Sequence, residues 1–149
     1  MKKIIPSMIM AGVLIWVSAG IVHAESNKER VQLTYIVASN NGTDFNLDND
    51  AYRDQMMKLF SYTSYQQLER SLVELERSKR EKVVLPDNYE LLLTYQGAEQ
   101  NRYMVQAVIR KDGNVYVDTV LSVLKPGVVF LGGPPTSNGD LIIILEMGF

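Results

Sequence analysis

The sequence predicts an α+β fold that is mostly antiparallel β: a sandwich or open barrel with one packed helix. Three observations predict it. Runs rich in β-branched and aromatic residues recur at roughly 8 to 12 residues, separated by Gly, Pro, Asn and Asp turns. One segment, 51–60, carries a helical apolar stripe. The last run, "LIIILEM" (141–147), is apolar at successive positions, as in a strand covered on both faces.

The chain opens with "MKKIIPSMIMAGVLIWVSAGIVHAES". Lys2 and Lys3 precede an apolar run from Met8 to Val22, and Val22-His23-Ala24 has the small or aliphatic residues a signal peptidase reads. Residues 1–24 are therefore expected to be a signal peptide, and 25–149 a single mostly-β domain. No Cys follows the run, so there is no lipoprotein anchor site, and no later run reaches ~18 apolar residues. Not spanning a membrane after cleavage, the protein is expected in the periplasm or secreted. His23 and Trp16, the sole His and Trp of the chain, leave with the signal. The mature chain keeps 13 basic and 17 acidic side chains, a net charge of −4. That balance offers no basic face for nucleic acid. With no Cys, burial alone must stabilise the exported domain.

Residues 25–30, "ESNKER", are polar and expected to fray. "VQLTYIVAS" (31–39) alternates as a strand does. In 51–60, Tyr52, Met56 and Phe60 stand at i, i+4 and i+8, and Asp48 or Asp50 is placed to cap the helix. Segment 65–82 fits two readings. Leu68, Leu72 and Leu75 have helical spacing, whereas "LVEL", a turn at "RSK" and "KVVLP" fit two strands. Further strands are expected at 89–97, 101–110, 114–124, 128–132 and 141–147, with tight turns at "KDG" (111–113) and "KPG" (125–127). The strands 128–132 and 141–147 are both expected to be central. "GGPPTSNGD" (132–140) reads as a structured connection: it has neither the Lys nor the following helix of a phosphate loop.

The missing residue types exclude whole chemistries. Without His or Cys the usual zinc sites, haem ligation and Ser-His-Asp or Cys-His triads cannot form. "SVLK" (122–125) matches a Ser-Lys motif, but in a strand residues three apart face opposite sides. "DFNLDND" (44–50) alternates oxygen side chains as a calcium loop does, yet Asn49 and Gln55 stand where that loop needs Gly and Glu. "NGT" (41–43) fits a glycosylation acceptor and equally a turn. Tyrosine dominates the aromatics, and the rings suit the half-covered faces of a sheet.

Three stretches, "LFSYTSYQQL" (59–68), "LPDNYELLL" (85–93) and "LGGPPTSNGDLIIIL" (131–145), together resemble an uncharacterised family of small, signal-bearing bacterial envelope proteins. The resemblance implies strand for 66–76 and brings no activity, ligand or catalytic residue.

The expected function is that of an exported envelope protein acting by binding or assembly, without catalysis, cofactor or metal. Its partner is expected to be another envelope protein. The candidate contact is the loop of Pro134, Pro135, Thr136, Ser137 and Asn138, because loops on rigid scaffolds carry function. One alternative is a carboxylate-based hydrolase, which needs paired acids in a cleft. Another is a small outer-membrane β-barrel, for which the alternation ending at Phe149 is the motive. Intact-mass measurement of the exported protein should find Glu25 at the N-terminus; a retained Met1 would remove both cleavage and the periplasmic or secreted expectation.

Overall fold

The computed structural model describes residues 26–149, so the expected signal peptide lies outside the described residues. Alternation builds the first strand, β1 (Lys28–Ser39), which starts three residues earlier than the sequence suggests because Lys28, Glu29 and Arg30 pair with the far end of β3. Then follow β2 (Phe45–Asn46), a 3₁₀ turn (Asp50–Tyr52), helix α1 (Arg53–Leu59), β3 (Ser64–Glu76), β4 (Arg80–Val84) and a second 3₁₀ turn (Pro86–Asn88). β5 (Glu90–Glu99), β6 (Arg102–Lys111), β7 (Asn114–Leu124), β8 (Gly127–Thr136) and β9 (Gly139–Met147) complete the chain.

The strands form two packed sheets, a sandwich and not a closed barrel. The first has the order β2-β3-β1-β9-β8 and the second β4-β5-β6-β7. All pairings are antiparallel except β2 with β3, a short parallel contact the sequence did not signal. The open sheet ends overturn the outer-membrane barrel alternative, whose strands must close. The space between the sheets is filled by apolar side chains. Val31, Leu33 and Tyr35 of β1 and Leu141, Ile143, Leu145 and Met147 of β9 meet Leu91, Leu93, Val105, Ala107 and Ile109 of the other sheet. The opposite face of β1 and β9 buries Ile36, Ala38, Ile142 and Ile144 with Tyr65 under α1, whose Met56 is fully buried. Helix, first sheet and second sheet make three layers.

Segment 65–82 is strand, turn and strand: Val73 and Leu75 turn inward with Val31 and Leu33, and a bulge at Leu68 carries Tyr65 to the opposite face of the sheet. The helix follows its stripe, with Tyr52 and Phe60 packed beside Met56. Its entry differs in detail. Asn49, not Asp48 or Asp50, caps the 3₁₀ turn that leads into it, accepting from the Ala51 N–H at 3.0 Å, and α1 itself has no side-chain cap.

Two of the expected turns are crossovers. The turn after β3 leads from the first sheet to the second, and Lys125-Pro126 leads from β7 back to β8 in the first. The Arg77 N–H donates to Asn27 O at 2.7 Å and the Ser78 N–H to Tyr95 O at 2.8 Å, satisfying the backbone where the chain changes sheets. β8 is also an edge strand, not a central one, and it continues through Pro134 and Pro135. Prolines are tolerated there because an edge has no neighbour waiting for their missing N–H, and a bulge between Gly132 and Pro135 absorbs the misfit.

β9 is central as expected. Ile143→Ala should cost about 2–5 kcal/mol, as buried aliphatic truncations do. Thr136→Ala should cost less, about 0.5–1.5 kcal/mol. The sequence gives Thr136 no structural role, but its hydroxyl donates to Gly139 O at 2.7 Å and accepts from the Asn138 N–H at 3.3 Å. Urea midpoints of the two variants check the order; equal losses would contradict a β9 buried on both faces.

Candidate functional site

The β8–β9 connection is a turn of two residues, Ser137 and Asn138, and not a proline-rich loop. Pro134 is buried and Pro135 exposed within β8, while Ser137 and Asn138 are exposed at the tip. Gly139 is obligatory: its φ is 142°, and an added Cβ would lie 2.4 Å from Ala38 O.

This tip is bound to a distant part of the sequence. The Ser137 N–H donates to Asp87 Oδ2 at 2.6 Å, and its hydroxyl lies 3.3 Å from Oδ1. Asp87 reaches it from the Pro86–Asn88 turn, where Asp87 and Asn88 both take left-handed backbone angles that Asp and Asn tolerate. Two residues on, the Tyr89 hydroxyl donates to Pro135 O at 3.0 Å. Burial, and then the neighbouring Tyr116, pushes this hydroxyl above the ordinary tyrosine value, which keeps it a donor. The Tyr116 ring meets Tyr89 edge-on at 5.2 Å, and the Lys111 ammonium lies 4.9 Å from the Tyr89 ring centroid. Thus "PDNY", "PPTSN" and the β6–β7 hairpin converge at one end of the sandwich. Tyr116 remains 49 % exposed there, beside Val115. The sequence reading named only the 134–138 part. The Asp87 contact spans 50 residues and leaves no local signal.

The other tyrosines are structural. Tyr35, Tyr65 and Tyr95 are fully buried, and Tyr103 is buried under the Lys125 ammonium, 4.5 Å from its ring centroid. That contact takes Lys125 to an aromatic face, so the structure gives the Ser-x-x-Lys match no paired nucleophile. Tyr52 and Tyr62 fasten the helical layer to β9. The Tyr52 hydroxyl donates to Glu146 Oε2 at 2.9 Å, and that of Tyr62 to Asp140 Oδ2. The space beneath residues 47–52, lined by Thr34, Ile36, Tyr52 and Arg70, holds about 10 Å³, room for roughly one water.

The 44–50 segment behaves as helix entry. Asp48 Oδ2 accepts from Gln67 Nε2 at 2.6 Å, and Asn49 serves as the cap. Among the described residues no three acidic side chains converge as a metal would require. In "NGT", Gly42 has a positive φ and its carbonyl accepts from the Thr63 hydroxyl at 2.7 Å, so the segment is a turn. No described Asp or Glu is buried. The carboxylate of Glu90 is held below its usual range first by its hydrogen bond from Arg110 and then by that from Lys82, and is engaged as a surface ion pair.

The chain matches no family model, and neither curated proteins nor solved structures give a match.

The tyrosine ties have a pH signature. Burial, followed by the hydrogen bond to Glu146, raises Tyr52 from 10.0 to about 12. Its hydrogen bond to Asp140, followed by burial, raises Tyr62 as well. A folded value above the unfolded one means the contribution is complete below pH about 10 and lost as pH climbs to about 12. Stability should therefore fall across that window, and Tyr52→Phe should flatten the fall. Denaturation midpoints between pH 9 and 12, together with tyrosinate absorbance, check this; an identical slope in Tyr52→Phe would show that the tie contributes nothing.

Proposed function

We propose that this chain is an exported bacterial envelope protein, periplasmic or secreted, that acts as a non-catalytic binding or assembly module. We place the contact for a partner envelope protein at the end of the sandwich that carries Asp87, Tyr116, Pro135, Ser137 and Asn138. The carrying observation is the pinned turn: Ser137 is fixed by Asp87 through two hydrogen bonds while its tip and Tyr116 stay exposed. A polar tip held rigid beside an exposed Tyr loses little freedom on binding, and Tyr supplies flat apolar area with a polar end. The resemblance of "LPDNYELLL" and "LGGPPTSNGDLIIIL" to envelope proteins supports the same end, because it is these two stretches that meet there. The leader-like residues 1–24 support export.

Photo-crosslinking residues placed at Tyr116 and at Asn138 should each give a discrete protein adduct in intact cells. The same residue at Gln106, on the outer face of the second sheet, should not. Asp87→Ala should lower the adduct yield at Asn138 while leaving the protein folded. Adducts at Gln106 alone, or at none of the three, would overturn the placement.

A further inference from the structure

We propose that two copies of this chain join along the outer edge of β3, antiparallel and centred on Leu72, so that the first sheet continues through a two-fold axis. The proposal is independent of the partner-binding end, since β3 contributes no residue to it.

β3 has thirteen residues, yet on the side away from β1 only Tyr65 and Gln66 are paired, by β2. Gln67 then receives the Asp48 N–H on its side-chain oxygen. Among the described residues, no strand lies along 68–76 on that side. An edge of this length presents a row of backbone donors and acceptors that can template another strand. Leu72 is the midpoint of 68–76 and is 53 % exposed.

The other sheet ends are blunted. β8 carries Pro134 and Pro135, β4 has five residues that begin Arg80-Glu81-Lys82, and β7 lies alongside β8 at the crossover. β3 has no proline and uses charge alone.

The charge order on β3 fits a second copy of itself. Arg70, Leu72 and Glu74 share the face opposite the core, since Ser71, Val73 and Leu75 are the less exposed set. In an antiparallel pair centred on Leu72, Leu72 meets its counterpart and Arg70 meets Glu74 of the other copy, twice by symmetry. Neighbouring centrings lose this arrangement. Centring on residue 70 or 74 sets Arg70 against Arg70 or Glu74 against Glu74, and centring on Val73 sets Leu72 against Glu74. Glu74 already takes Lys28 Nζ on Oε1 at 2.9 Å, both side chains being well exposed. Such an exposed pair is weak and does not hold the carboxylate from a second cation.

Charge reversal tests this on the purified protein. Wild type should be dimeric by gel filtration with light scattering over a concentration series. Arg70→Glu and Glu74→Arg should each be monomeric, and the double variant, which restores opposite charges across the axis, should be dimeric again. Circular dichroism separates loss of pairing from loss of fold. Because the chain has no Cys, Leu72→Cys supplies a second reading. Opposed residues of an antiparallel pair have Cα atoms about 4.5–5.5 Å apart, within disulfide reach. Mild oxidation should link Leu72→Cys into dimers much faster than Val120→Cys, whose site is 48 % exposed on β7. A wild type monomeric at every concentration, a dimer indifferent to charge reversal, or equal linking at both cysteines would overturn the proposal.

Discussion

Burial of both faces of β9 is the constraint from which the three layers follow. Residues 141–145 are all buried, and a strand sends successive side chains to opposite sides. Leu141, Ile143 and Leu145 need one cover and Ile142 and Ile144 need another. The second sheet supplies the first cover. Helix α1 and the segments around it supply the other, through Met56, Phe60, Tyr52 and Tyr62. On that outer face β9 reads Asp140, Ile142, Ile144, Glu146: two isoleucines bracketed by two acids. Each acid accepts a tyrosine hydroxyl from the helical layer, Tyr62 at one end and Tyr52 at the other. Apolar contact positions the layer, and the two polar ties fix it at both ends of the strand it covers.

The two changes of sheet follow from the same demand. A meander of hairpins would place all strands in one sheet and leave an apolar face in water. By crossing after β3 and again at Lys125-Pro126, the chain brings β4–β7 over the inner face of β1 and β9. One result lies at the end of the sandwich. The turn entering β5 comes to rest against the turn entering β9, and Asp87 closes the gap by holding Ser137. The candidate contact is thus a product of the crossovers, assembled from segments 50 residues apart.

What the sequence made legible was period and punctuation. Alternation in 31–39, the stripe of Tyr52, Met56 and Phe60, and the unbroken apolar run at 141–147 each gave the right element, and together the right class. Pairing was less legible. Gly and Pro at 132–135 read as loop because their local preferences are those of turns, but an edge strand asks for no donor from a proline. "RSK" and "KPG" read simply as turns because a tight turn and a change of sheet use the same residues. At the candidate site, Ser137 and Asn138 were visible as part of a connection between strands. Asp87, Tyr89 and Tyr116 were not, because tertiary contacts across such separations have no periodic trace. Segment 65–82 shows the limit most plainly: leucine spacing and good helix formers favoured helix there, the strand-like segments that follow and the family resemblance favoured strand, and pairing with β1 outweighed local propensity.

The two proposed surfaces have a joint consequence. The edge of β3 and the end formed by Asp87, Tyr116 and Ser137 belong to different elements and share no residue. A dimer paired through β3 carries two such ends, related by the two-fold axis. A partner that displays repeated sites, as an envelope assembly does, then meets a bivalent ligand, and the second contact forms at the high effective concentration set by the first. A single end built from one Tyr, a two-residue tip and a proline carbonyl offers little area for strong binding on its own. Pairing would turn a weak contact into a durable one without adding a residue to it. The charged, proline-free edge of β3 and the modest pinned end are in this view complementary parts of one assembly module.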